Sequence, residues 1–198
     1  MKRTVRVMVA LALASPIGVV AAQEMSVDAQ IAEAVSPLPE SLRAGATVIT
    51  RDAKGNAKVL RQGSNVITCM TLSPTVEGEF NVRCYAQGLA PEHEMMAKML
   101  AEGKGRGETL AALKAAYQSG KLKPPPMGTM DYSKRWKTIA DARVLWRLHL
   151  PNATAESLGL PTQPASGSPW MMWSGTLGAH IMMPQTEASL AAGPPKKP

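Results

Sequence analysis

The chain is poor in aromatic residues, cysteine and histidine. It holds one Phe, three Tyr, four Trp, two Cys and three His in 198 residues. Gly-x-Ser-x-Gly, His-Glu-x-x-His and a glycine-rich phosphate loop are absent, which removes the common signatures of serine hydrolases, zinc peptidases and nucleotide-binding enzymes. Beyond residue 22 no stretch is apolar enough to predict a transmembrane helix. A core with one Phe must use other side chains, and the 13 Met suit irregular gaps.

Residues 1–22 have the pattern of a secretory signal peptide. Lys2, Arg3 and Arg6 form a basic start, an apolar run follows, and small residues precede Gln23. This order predicts a signal peptide cleaved after Ala22. We therefore expect a periplasmic or secreted bacterial protein. Its predicted organisation is a single α+β domain over 23–185 and a disordered tail over 186–198.

The charge pattern gives no sign of a nucleic-acid partner. The chain has 22 Lys and Arg against 15 Asp and Glu, and three of the basic residues belong to the predicted signal peptide. Nucleic-acid binding needs a clustered basic face, so a small molecule or a cell-envelope component is the expected partner. The densest basic group, 132–137, fits either a platform for an acidic or sugar ligand or a solvated loop anchored by Trp136.

The two cysteines predict one disulfide. Cys69 and Cys84 lie on consecutive predicted strands, and an isolated pair in an oxidising compartment most simply forms an intramolecular bond. The alternatives are a redox pair or a thiolate metal site. Neither is favoured, because the Cys-x-x-Cys spacing that lowers a thiol pKa is missing.

Periodicity predicts an α+β fold in which a helical hairpin packs on a small antiparallel sheet. Residues typical of helix starts and ends predict helices over 91–101 and 108–119. The strand Arg143 to Leu150 alternates, so one of its faces is expected in the core and the other outside. Four earlier segments with turns between them predict an antiparallel meander, over 46–51, 57–61, 66–72 and 80–85.

The segment from Trp170 to Met183 contains the strongest candidate site. Two apolar runs flank Ser-Gly-Thr-Leu-Gly, which predicts a hairpin or a strand corner. On a strand His180 and Met182 share one face. That face either lines a site or is buried packing, with His180 hydrogen-bonded to a backbone group.

The same region resembles a family of uncharacterised secreted bacterial proteins. The residues that carry the resemblance lie within 140–184, and more faintly over 65–69. Their pattern is Gly167-x-Pro-x-x-Met-Trp-x-Gly-Thr-x-x-Ala-His180. The resemblance implies that Trp173, Gly175, Thr176 and His180 act as a unit, and it implies no activity.

Three functions remain open at this level. The first is a non-catalytic binding or envelope-associated module, with Trp170, Trp173, Thr176 and His180 as candidate ligand-binding residues and Trp136 or Trp146 nearby. No cofactor is predicted for it.

The second function is soft-metal binding. The parallel fragments His93-Glu-Met-Met96 and His180-Ile-Met-Met183 offer imidazole and thioether ligands, which suit copper. The candidate ligands are His93, Met96, His180 and Met182. The third function is a hydrolase that combines Ser174 or Thr176 with His180 and a distant acid, either Asp131 or Asp141.

Overall fold

The computed structural model describes residues 25–74, 79–138, 142–164 and 167–186. The predicted signal peptide and residues 187–198 of the predicted tail lie outside the described residues. Within these ranges eight strands and five α-helices follow one another, with a short 3-10 turn at Gln87–Leu89 before the third helix. Their bounds are α1 Val27–Ala34, α2 Glu40–Arg43, β1 Thr47–Arg51, β2 Ala57–Arg61, β3 Ile67–Pro74, β4 Phe80–Ala86, α3 Ala90–Ala101, α4 Arg106–Gln118, β5 Thr129–Trp136, β6 Arg143–His149, α5 Ala155–Leu158, β7 Trp170–Met172 and β8 His180–Gln185.

The strands form one eight-stranded mixed sheet in the order β2-β1-β3-β4-β5-β6-β8-β7. The prediction of a small antiparallel sheet is therefore wrong in size and in pairing. After β2 the chain returns to the other edge of β1, so β3 runs parallel to β1 and the expected meander is not formed. Residues 132–136, predicted as a platform or a loop, belong to the central strand β5, which pairs with β4 and β6.

One face of the sheet is apolar and is covered by α1. Ser26 caps α1 through its hydroxyl, which accepts from the Ala29 amide. Beyond this helix Val35 and Leu38 pack in a buried cluster with Cys69, Cys84 and Tyr132. Cys69 and Cys84 oppose each other in the β3–β4 ladder and form the predicted disulfide. Both cysteines are fully buried, so the bond is part of this core.

Helices α3 and α4 contribute a second buried cluster. Met96 of α3 packs there with Leu113 and Tyr117 of α4, and the partly buried Trp173 joins them. Pro91 lies in the first turn of α3, as the sequence predicts, because its fixed φ and missing amide suit that position. Among the described residues no helix is both long and apolar enough to cross a membrane.

Strands β7 and β8 form the predicted antiparallel pair. Trp170 opposes Met182, and Met172 opposes His180. The predicted alternation along β8 is confirmed, since His180 and Met182 are buried while Ile181 and Met183 are only partly buried. The backbone hydrogen bond expected for His180 is also present, from its Nδ1 to the Gly178 carbonyl at 2.8 Å.

Candidate functional site

The second face of the sheet is polar, although it is also largely buried. Residues that oppose each other in an antiparallel ladder project to the same side. The ladders therefore place several charged and polar side chains of four neighbouring strands on one surface. These opposed pairs are Asn81 with Arg135, Arg83 with Ser133, Tyr85 with Asp131, Asp131 with Arg147, and His149 with His180.

Arg147 is the centre of an ion-pair network on this face. Its guanidinium donates to both carboxylate oxygens of Asp131, and its Nη1 lies 3.8 Å from Oε1 of Glu92. Tyr117 of α4 donates its hydroxyl to Oε2 of Glu92 at 2.7 Å. Asp131 and Glu92 are 1% and 2% exposed, so each needs such partners. Helices and sheet are thereby joined through buried charges.

The network decides the ionisation of the two buried carboxyls. Burial by itself raises the pKa of Asp131, but Arg147 and the neighbouring imidazoles hold that pKa well below its ordinary range. Burial opposes ionisation of Glu92 as well, and Arg147 again lowers the pKa below its usual value. Both groups are therefore carboxylates at neutral pH.

All three histidines of the chain are buried beside this network. Nε2 of His93 lies 3.7 Å and Nε2 of His149 3.5 Å from Oδ2 of Asp131. The His93 ring stacks on Tyr85 with 4.0 Å between centroids, and the His149 ring stacks on His180 at 5.2 Å. The three histidines are far apart in the sequence, so the sequence gave no indication that they would lie close together in the fold.

His180 is held in its neutral form. Burial first, and then the positive charges of Arg147 and His149, lower its pKa to about 4. Trp173 packs edge-on against the His180 ring at 5.3 Å and against Tyr117 at 6.3 Å. Trp173 adopts a φ of 55°, which is uncommon for a bulky residue and directs its ring into this contact.

Two cavities lie against the polar face, the smaller lined by residues of both α3 and α4 and the larger by residues of α3. The smaller, about 90 Å³, is lined, among the described residues, by four arginines and one acidic residue, Glu79. The larger, about 360 Å³, shares Asn81, Arg83, Met96 and Leu100 with it and extends towards β1. The arginines of the smaller cavity are Arg83, Arg106, Arg135 and Arg147.

Several buried polar atoms at the cavities have no hydrogen-bond partner within the described part of the chain. They are Nε of Arg83, Oδ1 of Asn81 and Nε2 of His180. Arg83 also makes no ion pair with a described carboxylate, and its Nη1 donates to Sδ of Met96 at 4.0 Å. Burial first, and then the charges of Arg147 and Arg135, lower the pKa of Arg83 to about 10.

The structure brings together only part of the predicted ligand-binding set. Trp173 and His180 are in contact, and the Thr176 hydroxyl donates to the Trp173 carbonyl at 2.7 Å. Trp170 lies further along β7, opposite Met182. Trp146 is on the other face of the sheet, where its Nε1 donates to the Pro37 carbonyl.

The predicted metal set is divided between two places. Met96, His180 and Met182 line the smaller cavity, whereas His93 stacks on Tyr85 beside Asp131. In the described chain the four predicted ligands therefore do not converge on one point.

The hydroxyls of the hydrolase hypothesis are engaged in backbone bonds. Ser174 accepts from the Ala155 amide at 2.8 Å, and Thr176 donates to the Trp173 carbonyl. Neither is hydrogen-bonded to His180, whose only such contact in the described structure is with Gly178. Asp131 is paired with Arg147, and Asp141 lies outside the described residues.

Sequence reasoning missed the arginines of the cavity and the role of Glu92. A signal existed in the alternation of β4, where Asn81, Arg83 and Tyr85 share the face opposite to Val82 and Cys84. Such a polar face normally faces solvent, because unpaired buried arginines are costly. Only α3 and α4, which come later in the chain, cover it.

Comparison with known proteins adds no further assignment. The chain matches no known family model, no curated protein and no solved structure. The resemblance over 140–184 therefore stays a prediction, and the function must be argued from the site itself.

Proposed function

We propose that this chain is a non-catalytic, extracytoplasmic binding module that holds a small anionic ligand between the polar face of the sheet and α3 and α4. In this proposal the two helices act as a helical hairpin that closes over the ligand. The observation that carries it is the buried Nε of Arg83, a hydrogen-bond donor that has no partner in the described chain and lies at the smaller cavity. Buried polar groups without partners are rare, and an oxygen of an anionic ligand would accept from this donor.

The charge around the cavity supports an anion. Arg147 is compensated by Asp131 and Glu92, and Arg135 is paired with Glu79 at 3.4 Å. Arg83 has no such carboxylate among the described residues, although its guanidinium is packed in protein. Guanidinium groups bind carboxylate and phosphate oxygens through directed, charge-assisted hydrogen bonds. Arg83 is therefore the residue that would contact the anionic group.

The shapes of the two cavities indicate the rest of the ligand. The smaller has room for a few atoms, enough for a carboxylate or phosphate group, because one water takes up about 30 Å³ in the liquid. The larger falls within the typical range of ligand pockets, about 300–1,000 Å³. It is lined on several sides by apolar residues, among them Met70, Met96 and Leu100. An amphiphilic anion, with its charged end at Arg83, fits this arrangement.

Two observations support binding over the alternatives. The hydroxyls of Ser174 and Thr176 are used by the backbone, which leaves His180 without a nucleophile to activate. The signal-peptide pattern of residues 1–22 and the buried disulfide favour an oxidising, extracytoplasmic location. An amphiphilic anion would there be a component or a product of the cell envelope.

The test is calorimetric titration of the protein with octyl phosphate and octanoate, and with octanol as the uncharged control. We expect the anions to bind and octanol to bind at least tenfold more weakly. Arg83→Met should lower the affinity for the anions by about 10- to 100-fold, since a hydrogen bond to a charged group contributes about 1.5–3 kcal/mol.

Lys58→Met is the matched control variant. It removes one positive charge from an exposed position on β2 that lines neither cavity. Its affinity should equal that of the wild type. Equal binding of octanol and octanoate, equal affinity of Arg83→Met and the wild type, or no binding of either anion would contradict the proposal.

A further inference from the structure

Glu92, His93 and Asp131 form a second candidate site, separate from the arginine-lined cavity. One ligand atom of each, a carboxylate oxygen or a ring nitrogen, lies within 4.8 Å of the other two. Glu92 and His93 are adjacent on α3, and Asp131 faces them from β5. Each of the three side chains is at most 2% exposed. Carboxylate and imidazole groups gathered in this way are the ligands of divalent transition metals.

His93 is the member whose surroundings most need explanation. It is 0% exposed, and neither of its ring nitrogens has a hydrogen-bond partner within the described residues. Its Nε2 lies 3.7 Å from Oδ2 of Asp131, which is beyond the normal range of an N–H···O hydrogen bond. Two ligands of one tetrahedral zinc ion, each at about 2.0–2.1 Å, lie about 3.3 Å apart. The distance between Nε2 of His93 and Oδ2 of Asp131 is therefore closer to the separation of two ligands of one zinc ion than to a hydrogen bond.

The orientation of each side chain is controlled by another residue. Tyr117 donates to Oε2 of Glu92, Arg147 donates to both oxygens of Asp131, and the Tyr85 ring stacks on His93. A carboxylate oxygen can accept one hydrogen bond and still offer a second lone pair to a cation. Partners of this kind orient metal ligands in known sites and raise their affinity.

The local charge also favours a cation. Glu92 and Asp131 are both ionised. Within the described chain, Arg147 is the one basic residue other than histidine that lies within 4 Å of either carboxylate. Arg83 offsets the remaining negative charge only at longer range. A buried carboxylate without a close counter-charge is costly, and a divalent ion supplies that charge.

We propose that Glu92, His93 and Asp131 bind one divalent transition-metal ion, with zinc as the best match. This set keeps His93 from the sequence-based metal hypothesis and replaces the other three predicted ligands with two carboxylates. The ion is therefore a borderline or hard one, not the Cu(I) that thioethers select. Three protein ligands leave one coordination position for water or another small ligand.

The test measures metal content and affinity directly. Because the site is buried, the full chain, expressed with its own leader, is unfolded in urea with a chelator and refolded with zinc. We expect one bound zinc per chain by elemental analysis. Cobalt(II) in place of zinc should give visible absorption bands without a thiolate charge-transfer band, because both cysteines are in the disulfide.

Three variants separate this site from the methionine-containing set. His93→Gln and Glu92→Gln should each lower zinc affinity more than about a hundredfold, since even outer partners of metal ligands change affinity by about 10–100-fold. Glu92→Gln keeps an acceptor for Tyr117, so its fold should persist, and circular dichroism checks this. His180→Gln removes a histidine of the other set and should bind zinc like the wild type.

Several outcomes would overturn the proposal. One is a wild-type chain that takes up no zinc or cobalt during refolding, a result that needs no variant. Another is full zinc affinity in Glu92→Gln and His93→Gln. A third is loss of zinc binding in His180→Gln together with a preference of the wild type for Cu(I). That result would indicate the methionine-containing ligand set instead.

Discussion

Mild acid should destabilise the protein because His180 is buried in neutral form. His180 is 2% exposed, and its pKa is about 4 in the fold against an ordinary 6.5. The unfolded chain therefore binds a proton more readily than the folded chain. The contribution of neutral His180 to the free energy of unfolding is fully present above the pKa of the unfolded chain. It is lost as the pH falls through 6.5 towards 4. The positive groups that oppose protonation are Arg147 and, once charged, His149.

The magnitude follows from the two pKa values. One pKa unit corresponds to about 1.4 kcal/mol, so His180 alone should lower the free energy of unfolding by about 2 kcal/mol between pH 7 and pH 5. Burial lowers the pKa of His93 as well, which adds to the loss. Asp131 and Glu92 have lowered pKa values, so their contribution is lost only at still lower pH.

The assay is urea unfolding at pH 7 and pH 5, at equal ionic strength and with chelator present. His180→Asn is the informative variant, because its amide can still donate to the Gly178 carbonyl but does not titrate. Its loss of stability between the two pH values should be smaller than that of the wild type by about 2 kcal/mol. The chain has only three histidines, so few other groups titrate in this interval. An equal pH dependence of the two proteins would refute the burial argument.

Two further predictions concern stability. Replacing Cys69 and Cys84 together by Ala should lower the free energy of unfolding by about 3 kcal/mol, the value expected for a closed loop of this length, and a reductant should then have no further effect. A loss below about 1 kcal/mol would contradict the chain-entropy account. Gly178→Ala should cost about 1–3 kcal/mol, because an added Cβ would lie 2.7 Å from the Trp173 ring and 2.9 Å from Tyr117. Gly107→Ala, with no atom near its added Cβ in a helix, should instead stabilise by about 0.5–1 kcal/mol, and thermal unfolding of both variants checks the contrast.

Local patterns were enough to predict several elements. The α3 bounds follow from Pro91 and the glycine after the helix, and the β7–β8 pair follows from two apolar runs around a small-residue insert. The disulfide follows from the number of cysteines and the expected compartment. In each case the information lies within a few residues, or in a pair that has only one possible partner.

The order of the strands and the composition of the site depend on contacts between distant parts of the chain. Alternation along β6 shows which residues share a face, but it cannot show that α3 and α4 cover the face of Arg147 and His149. A polar strand face in a sequence predicts exposure to solvent, because a charge is buried at acceptable cost only when other parts of the chain supply its ion-pair partners. Here α3 supplies Glu92 and β5 supplies Asp131 as partners of Arg147. Periodicity thus determined many of the elements, although not the central strand β5, and tertiary packing alone decided that the charged face of the sheet became buried.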